Sequence, residues 1–126
     1  MGSERAPQPA AEPPFEYDGP PELEQRIAAA LARVVDPEMA LDIVNLGLVY
    51  GVYVAPQADA AAPRHLDVML TMTSAACPVA ELIVEDVRGA LQRELGGDVT
   101  VEVALVWEPP WSPERMSPRA RLAMGW

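Results

Sequence analysis

Between His65 and Leu95 the apolar pattern changes its period once, and it does so around a proline. Through "HLDVMLTMT" every second residue is apolar, so Leu66, Val68, Leu70 and Met72 fall on one side of an extended chain. Beyond Pro78, Val79, Leu82, Ile83, Val87, Ala90, Leu91 and Leu95 recur at helical spacing, and Gly96 and Gly97 supply the usual stop. A strand that passes into a helix through five small or polar residues needs a fold in which helices lie on a sheet.

The rest of the chain extends this pattern. Leu48, Tyr50, Val52 and Val54 share one face of an expected strand, and "APQADAAAPR" is a loop bounded by prolines, so the two strands read as a hairpin. "DVTVEVALVW" gives a third strand with Val99, Val101, Val103 and Leu105 inward. Upstream, Pro20 and Pro21 suit the first turn of a helix whose buried stripe is Leu23, Ile27, Leu31, Val34 and Val35. It should stop before Pro37, which disfavours the helical conformation in Asp36. Ser112-Pro113 and Ser117-Pro118 each read as a cap followed by a first helical residue. The expected order is α-β-β-α-β-α, a small two-layer α+β sandwich with helices packed on a mixed three-stranded sheet. Residues 1–20, rich in Pro, Ala and Glu, are expected to form a flexible tail, and residues 21–126 a single domain. No internal repeat is present.

Composition narrows the function. Half of the 126 residues are apolar, enough for a core, and the net charge is -10. That charge opposes binding to a phosphate backbone and to an anionic membrane surface, so neither nucleic acid nor membrane is an expected partner. No apolar run approaches the ~18 residues of a membrane span. The first 20 residues lack the basic and apolar regions of a secretory signal. A lone cysteine cannot form an internal disulfide, which makes the reducing cytoplasm the expected compartment.

That cysteine, Cys77, stands directly before Pro78. If Pro78 opens the helix, Cys77 is its N-cap, where unpaired N–H groups and the helix dipole favour thiolate. Thr73 and Ser74 can donate hydrogen bonds to whatever the sulfur carries, while Glu81 and Glu85 partly offset the dipole. The alternative is a small, buried, inert cysteine at a helix start. Asp36 and Glu38 flank Pro37, so their carboxylates sit in a turn, either as a hard ligand pair or as turn caps. His65 has no sequence neighbour at ligand spacing and reads as a solvated residue at a strand start. Trp107, Trp111 and Trp126 either form a partner surface or pin the C-terminal segment to the core. CxxC, HExxH, Walker and GxGxxG motifs are all missing from the sequence.

Taken together, "VVDPEMALDIVNLGLVYGVYV", "LTMTSAACPVAELIVEDVRGAL" and "VEVALVWEPPWSPERMSPRARLAMGW" resemble the SufT/PaaD-like iron–sulfur cluster assembly domains, relatives of the eukaryotic cytosolic iron–sulfur targeting factors. The resemblance runs from about residue 22 to the C-terminus. It implies a non-enzymatic accessory factor that carries or delivers clusters, with iron–sulfur assembly proteins and client apo-proteins as partners. The motif residues fall on Asp36, Glu38, Thr73, Ser74 and Cys77, with Cys77 as the ligand of a transient iron–sulfur cluster. Met39 and Asn45 depart from the family pattern, where leucine and an acidic residue are usual, and "SAAC" replaces a proline-containing loop. PaaD-like members carry a cysteine-bearing C-terminal extension. This sequence ends at "AMGW", which favours the SufT-like reading over an oxygenase-assembly subunit. One thiolate cannot satisfy a cluster that takes four cysteine ligands, so a homodimer is expected, or else an adaptor that docks carriers to clients and keeps Cys77 structural. A thiol redox enzyme would need a partner thiol, and a hydrolase would need a base near Cys77.

Overall fold

The computed structural model describes residues 15–57, 59, 62–73, 79–96 and 99–125. Among these, a four-stranded mixed sheet carries two helices on one face. The strands are β1 (Glu16–Asp18), β4 (Val49–Val54), β5 (Arg64–Leu70) and β6 (Val99–Leu105), in the spatial order β1-β4-β5-β6. β4 and β5 form the expected antiparallel hairpin, while β1 runs parallel to β4 and β6 parallel to β5. The helices are α1 (Pro21–Leu31) and α2 (Ala80–Leu95), with a short α3 (Pro118–Met124) at the end of the chain. A separate two-stranded ribbon pairs β2 (Val35–Asp36) with β3 (Leu41–Asp42).

The period switch holds. Leu66, Val68 and Leu70 of β5 are buried, as are Ile83, Val87, Ala90 and Leu91 of α2. α2 packs on β6 and on α1, so β5-α2-β6 is a crossover joining two parallel strands. Ile27 and Leu31 of α1 complete the core at full burial, each contributing about 1.5–3 kcal/mol by leaving water. Arg26 and Arg33 both reach Glu94, at 3.1 Å each, and lash the first helical segment to the end of the second. These two guanidinium groups hold the Glu94 carboxyl below its ordinary value.

Five expectations need correction. The sheet has four strands, because β1 lies in the stretch read as tail; Tyr17 and its neighbours add an edge parallel to β4. α1 ends at Leu31, and the chain then runs extended, so Val34 and Asp36 turn inward and Val35 outward, 48% exposed. A register shift between Val49 and Gly51 takes Tyr50 out of the buried row of β4; its hydroxyl donates to Pro109 O instead. Leu82 is 53% exposed, since it lies about 100° around the helix from Ile83, on the side away from Val87 and Leu91. Leu105, at the end of β6, is also exposed, at 37%.

The C-terminal segment follows its sequence signals. Pro113–Arg115 is a single 3-10 turn, and Ser117 caps α3, its Oγ accepting from Ala120 N at 3.0 Å and donating to Asn45 Oδ1 at 2.6 Å. Ser117→Ala therefore removes a cap and a clasp together. The expected loss is about 1.5 kcal/mol, read from the midpoint of chemical denaturation.

Candidate functional site

The site expected from the sequence centres on the turn after α1. Pro37 fixes the backbone there, and the turn Pro37–Ala40 closes with Ala40 N donating to Asp36 O at 2.8 Å. Asp36 Oδ1 accepts from Glu38 N at 2.8 Å, an aspartate turn that explains why Asp precedes Pro here. Because the chain is extended from Val34, the Asp36 side chain points into the protein and is completely buried. Its second oxygen, Oδ2, is buried with no hydrogen-bond partner among the described residues. Glu38, two residues on, is exposed.

A ladder of backbone bonds ties this turn to the end of β5. Ile43 N donates to Val34 O, Leu48 N to Ile43 O, and Thr71 N to Leu48 O, at 2.8–3.0 Å. The strand that leads toward Cys77 is thus held to the ribbon that carries Asp36. Thr71 is itself fully buried, and its Oγ1 also has no partner among the described residues. Sequence reading missed Thr71, because alternation along β5 puts it on the outward side with His65 and Asp67. Thr73 is half-buried. Cys77 and Ser74 lie outside the described residues. The described part of α2 begins at Ala80 with Val79 in the cap position, and the expected N-cap role of Cys77 lies, with that residue, outside the described residues.

Around the ribbon, Asn45 has a constructive part in place of the acidic residue. Its side-chain amide donates to Asp42 Oδ1 at 2.8 Å, its backbone N–H donates to Asp42 Oδ2, and its Oδ1 receives the Ser117 hydroxyl. A carboxylate could not donate to Asp42 in this way. Trp111 is half-buried and donates from Nε1 to Leu46 O at 2.7 Å, pinning the C-terminal segment to the same loop. Trp107 stays 42% exposed beside Leu105. Two cavities flank this region without being lined by Asp36. One, of about 510 Å³, is bordered by Phe15, Val49, Tyr50 and Arg115, and the other, of about 350 Å³, by Leu41, Asp42, Asn45 and Arg119.

No helix among the described residues is long and apolar enough to cross a membrane. A buried carboxyl on the ribbon and a buried hydroxyl at the end of β5, each with an oxygen unpartnered among the described residues, are what the fold sets on the two elements that the backbone ladder joins.

Comparison with known proteins identifies the family. The sequence model of the family described as iron–sulfur cluster assembly protein matches residues 24–103. The chain is 44% identical to the Fe-S protein maturation auxiliary factor YitW of Bacillus subtilis, over 82% of this chain and 94% of that one. It is 40% identical to the Fe-S protein maturation auxiliary factor SufT of Staphylococcus aureus, over 73% of this chain and 97% of the relative. Among solved structures, a domain of unknown function, DUF59, from Bacillus anthracis is similar at a TM-score of 0.69 and 45% identity, over 82% of this chain and 92% of that one. A conserved hypothetical protein of Thermotoga maritima is similar at 0.64 and 38%, over 86% of this chain and 97% of that one. The chain therefore belongs to the iron–sulfur cluster assembly protein family, in its SufT-like branch.

Proposed function

We infer that this protein is an accessory factor in the maturation of iron–sulfur proteins, one that hands a cluster or its iron to client apo-proteins through Cys77. The observation that carries this reading is Asp36: a fully buried carboxyl, fixed through one oxygen and with no partner among the described residues at the other, on a ribbon bonded to the strand that leads to the cysteine. A buried polar atom without a partner costs stability, and such atoms persist where function needs them. The names of the relatives, maturation auxiliary factors, support the same role.

In this reading the cluster is cargo. Cys77 thiolate supplies a soft ligand, and Asp36 and Thr71 supply a polar wall beside the loop. Glu38, at the mouth of the turn, adds negative charge that favours cationic iron. A single cysteine per chain keeps the hold weak, which suits a factor that must release what it carries. A second cysteine would come from a second copy, from a small thiol or from the client. A soluble assembly in the cytoplasm, with other iron–sulfur assembly proteins as partners, is the setting that fits.

The test is anaerobic reconstitution with iron and sulfide, comparing the native protein with Cys77→Ser by visible absorption and native mass. A chromophore present in the first and lost in the second is the expected result. Maturation of client enzymes at full level by Cys77→Ala in a deletion strain would sink the transfer role. A second reading, a docking adaptor, is favoured by the exposed pair Leu105 and Trp107 at the carboxyl end of β6. It predicts client binding that survives Cys77→Ser and is lost in Trp107→Ala.

A further inference from the structure

We propose that His65, Asp67 and Glu102 form a second, separate site for a divalent transition-metal ion on the open face of the sheet. Sequence spacing hid this group, because its members meet through strand register. His65 and Asp67 are two apart on β5 and so share a face; the parallel pairing of β5 with β6 sets Asp67 against Glu102. His65 Nε2 lies 3.3 Å from Asp67 Oδ1 and 3.8 Å from Glu102 Oε1, and the three donor atoms all lie within 4.8 Å of one another. Donors that share one ion at about 2.0–2.2 Å stand roughly 3–3.5 Å apart in tetrahedral or octahedral geometry, so small side-chain adjustments close the set.

The chemistry of the donors selects the ion. One imidazole with two carboxylates suits zinc, cobalt, nickel, manganese or ferrous iron, whereas calcium and magnesium favour all-oxygen sets. Three protein ligands leave positions for water. The side chains are 36%, 41% and 71% exposed, so an ion can enter and leave freely. The charge around the site also favours a cation. The outward positions of the four strands include Glu16, Asp18, Asp67 and Glu102 and no arginine, and all nine basic residues of the chain are arginines. The loop containing Cys77 follows the opposite end of β5 from His65, so this site is distinct from the proposed cluster site.

The experiment is calorimetric titration of the full chain with zinc, repeated on Cys77→Ser, His65→Ala and Glu102→Gln. Cobalt absorption reports the donor set in parallel. One equivalent with micromolar affinity is expected in the native protein and in Cys77→Ser. His65→Ala and Glu102→Gln should each weaken it by about tenfold or more. The His65 and Glu102 side chains are partly or largely exposed, and circular dichroism verifies that each of the three variants is folded. Absence of saturable binding in the native protein overturns the proposal. So does binding that persists unchanged in His65→Ala and Glu102→Gln, or binding that disappears with Cys77→Ser.

Discussion

Gly47→Ala is expected to lower the unfolding temperature by more than 10 °C and by clearly more than Gly96→Ala does, at roughly 3–6 °C per kcal/mol for a domain of 126 residues. Both glycines have positive φ, +77° and +103°, so both substitutions carry backbone strain of about 1–3 kcal/mol; Gly96, with ψ 165°, lies in a region that essentially only glycine occupies. They differ in what the new methyl group meets. At Gly96, the C-cap of α2, nothing lies within 4 Å. At Gly47 the methyl would overlap the backbone carbonyl of Arg115, an atom that moves only if the Pro113–Arg115 turn moves. That turn is tied down by Trp111 on Leu46, by Ser117 on Asn45, and by the Arg115 guanidinium 4.4 Å from the centre of the Tyr50 ring. Displacing it loosens all three, for a total of about 3 kcal/mol or more. Thermal melts of the two variants side by side check this. Equal losses would mean that only backbone strain matters at Gly47 and that the C-terminal clasp yields without cost.

The same clasp shows what a sequence can and cannot reveal. Ser117 was legible because capping is local: a serine before a proline at a helix start is decided within four residues. The β4-β5 hairpin and α2 were legible because each carries its own period. β1 was not, since three residues show no period and it is placed by parallel pairing with β4, more than thirty residues away. Val35 and Leu82 were misread because apolar residues at the border of a stripe fit the pattern on either side. His65 was read as solitary because its partners are fixed by register, one on its own strand and one across it. Of the candidate site, the turn and its Asp-Pro-Glu order were visible. The burial of Asp36 was not, because it depends on where α1 stops. With the helix ending at Leu31 the alternation restarts at Val34, and the carboxyl faces inward; had the helix run on to Asp36, it would not.

Asp36→Asn is therefore the substitution with the largest expected effect on function and one of the smallest on folding. Asparagine keeps a side-chain oxygen to accept from Glu38 N, so the turn is preserved. It removes a group able to carry charge from a position with no exposure and an oxygen unpartnered among the described residues, and an uncharged amide costs less to bury there. The unfolding midpoint should stay the same or rise. Client maturation, measured as the activity of iron–sulfur enzymes in a complemented deletion strain, should fall by about tenfold or more, the usual cost of losing a polar group that orients a ligand. Asp36→Ala separates the two roles: it loses the turn bond as well, and should cost about 1–2 kcal/mol of stability with the same loss of maturation. Glu38→Gln, altering an exposed side chain, should leave stability unchanged and weaken maturation only by its share of the local charge. Full maturation by Asp36→Asn together with a lower unfolding midpoint would make Asp36 a purely structural turn residue. The proposed cluster site would then rest on the cysteine without a buried carboxyl to support it.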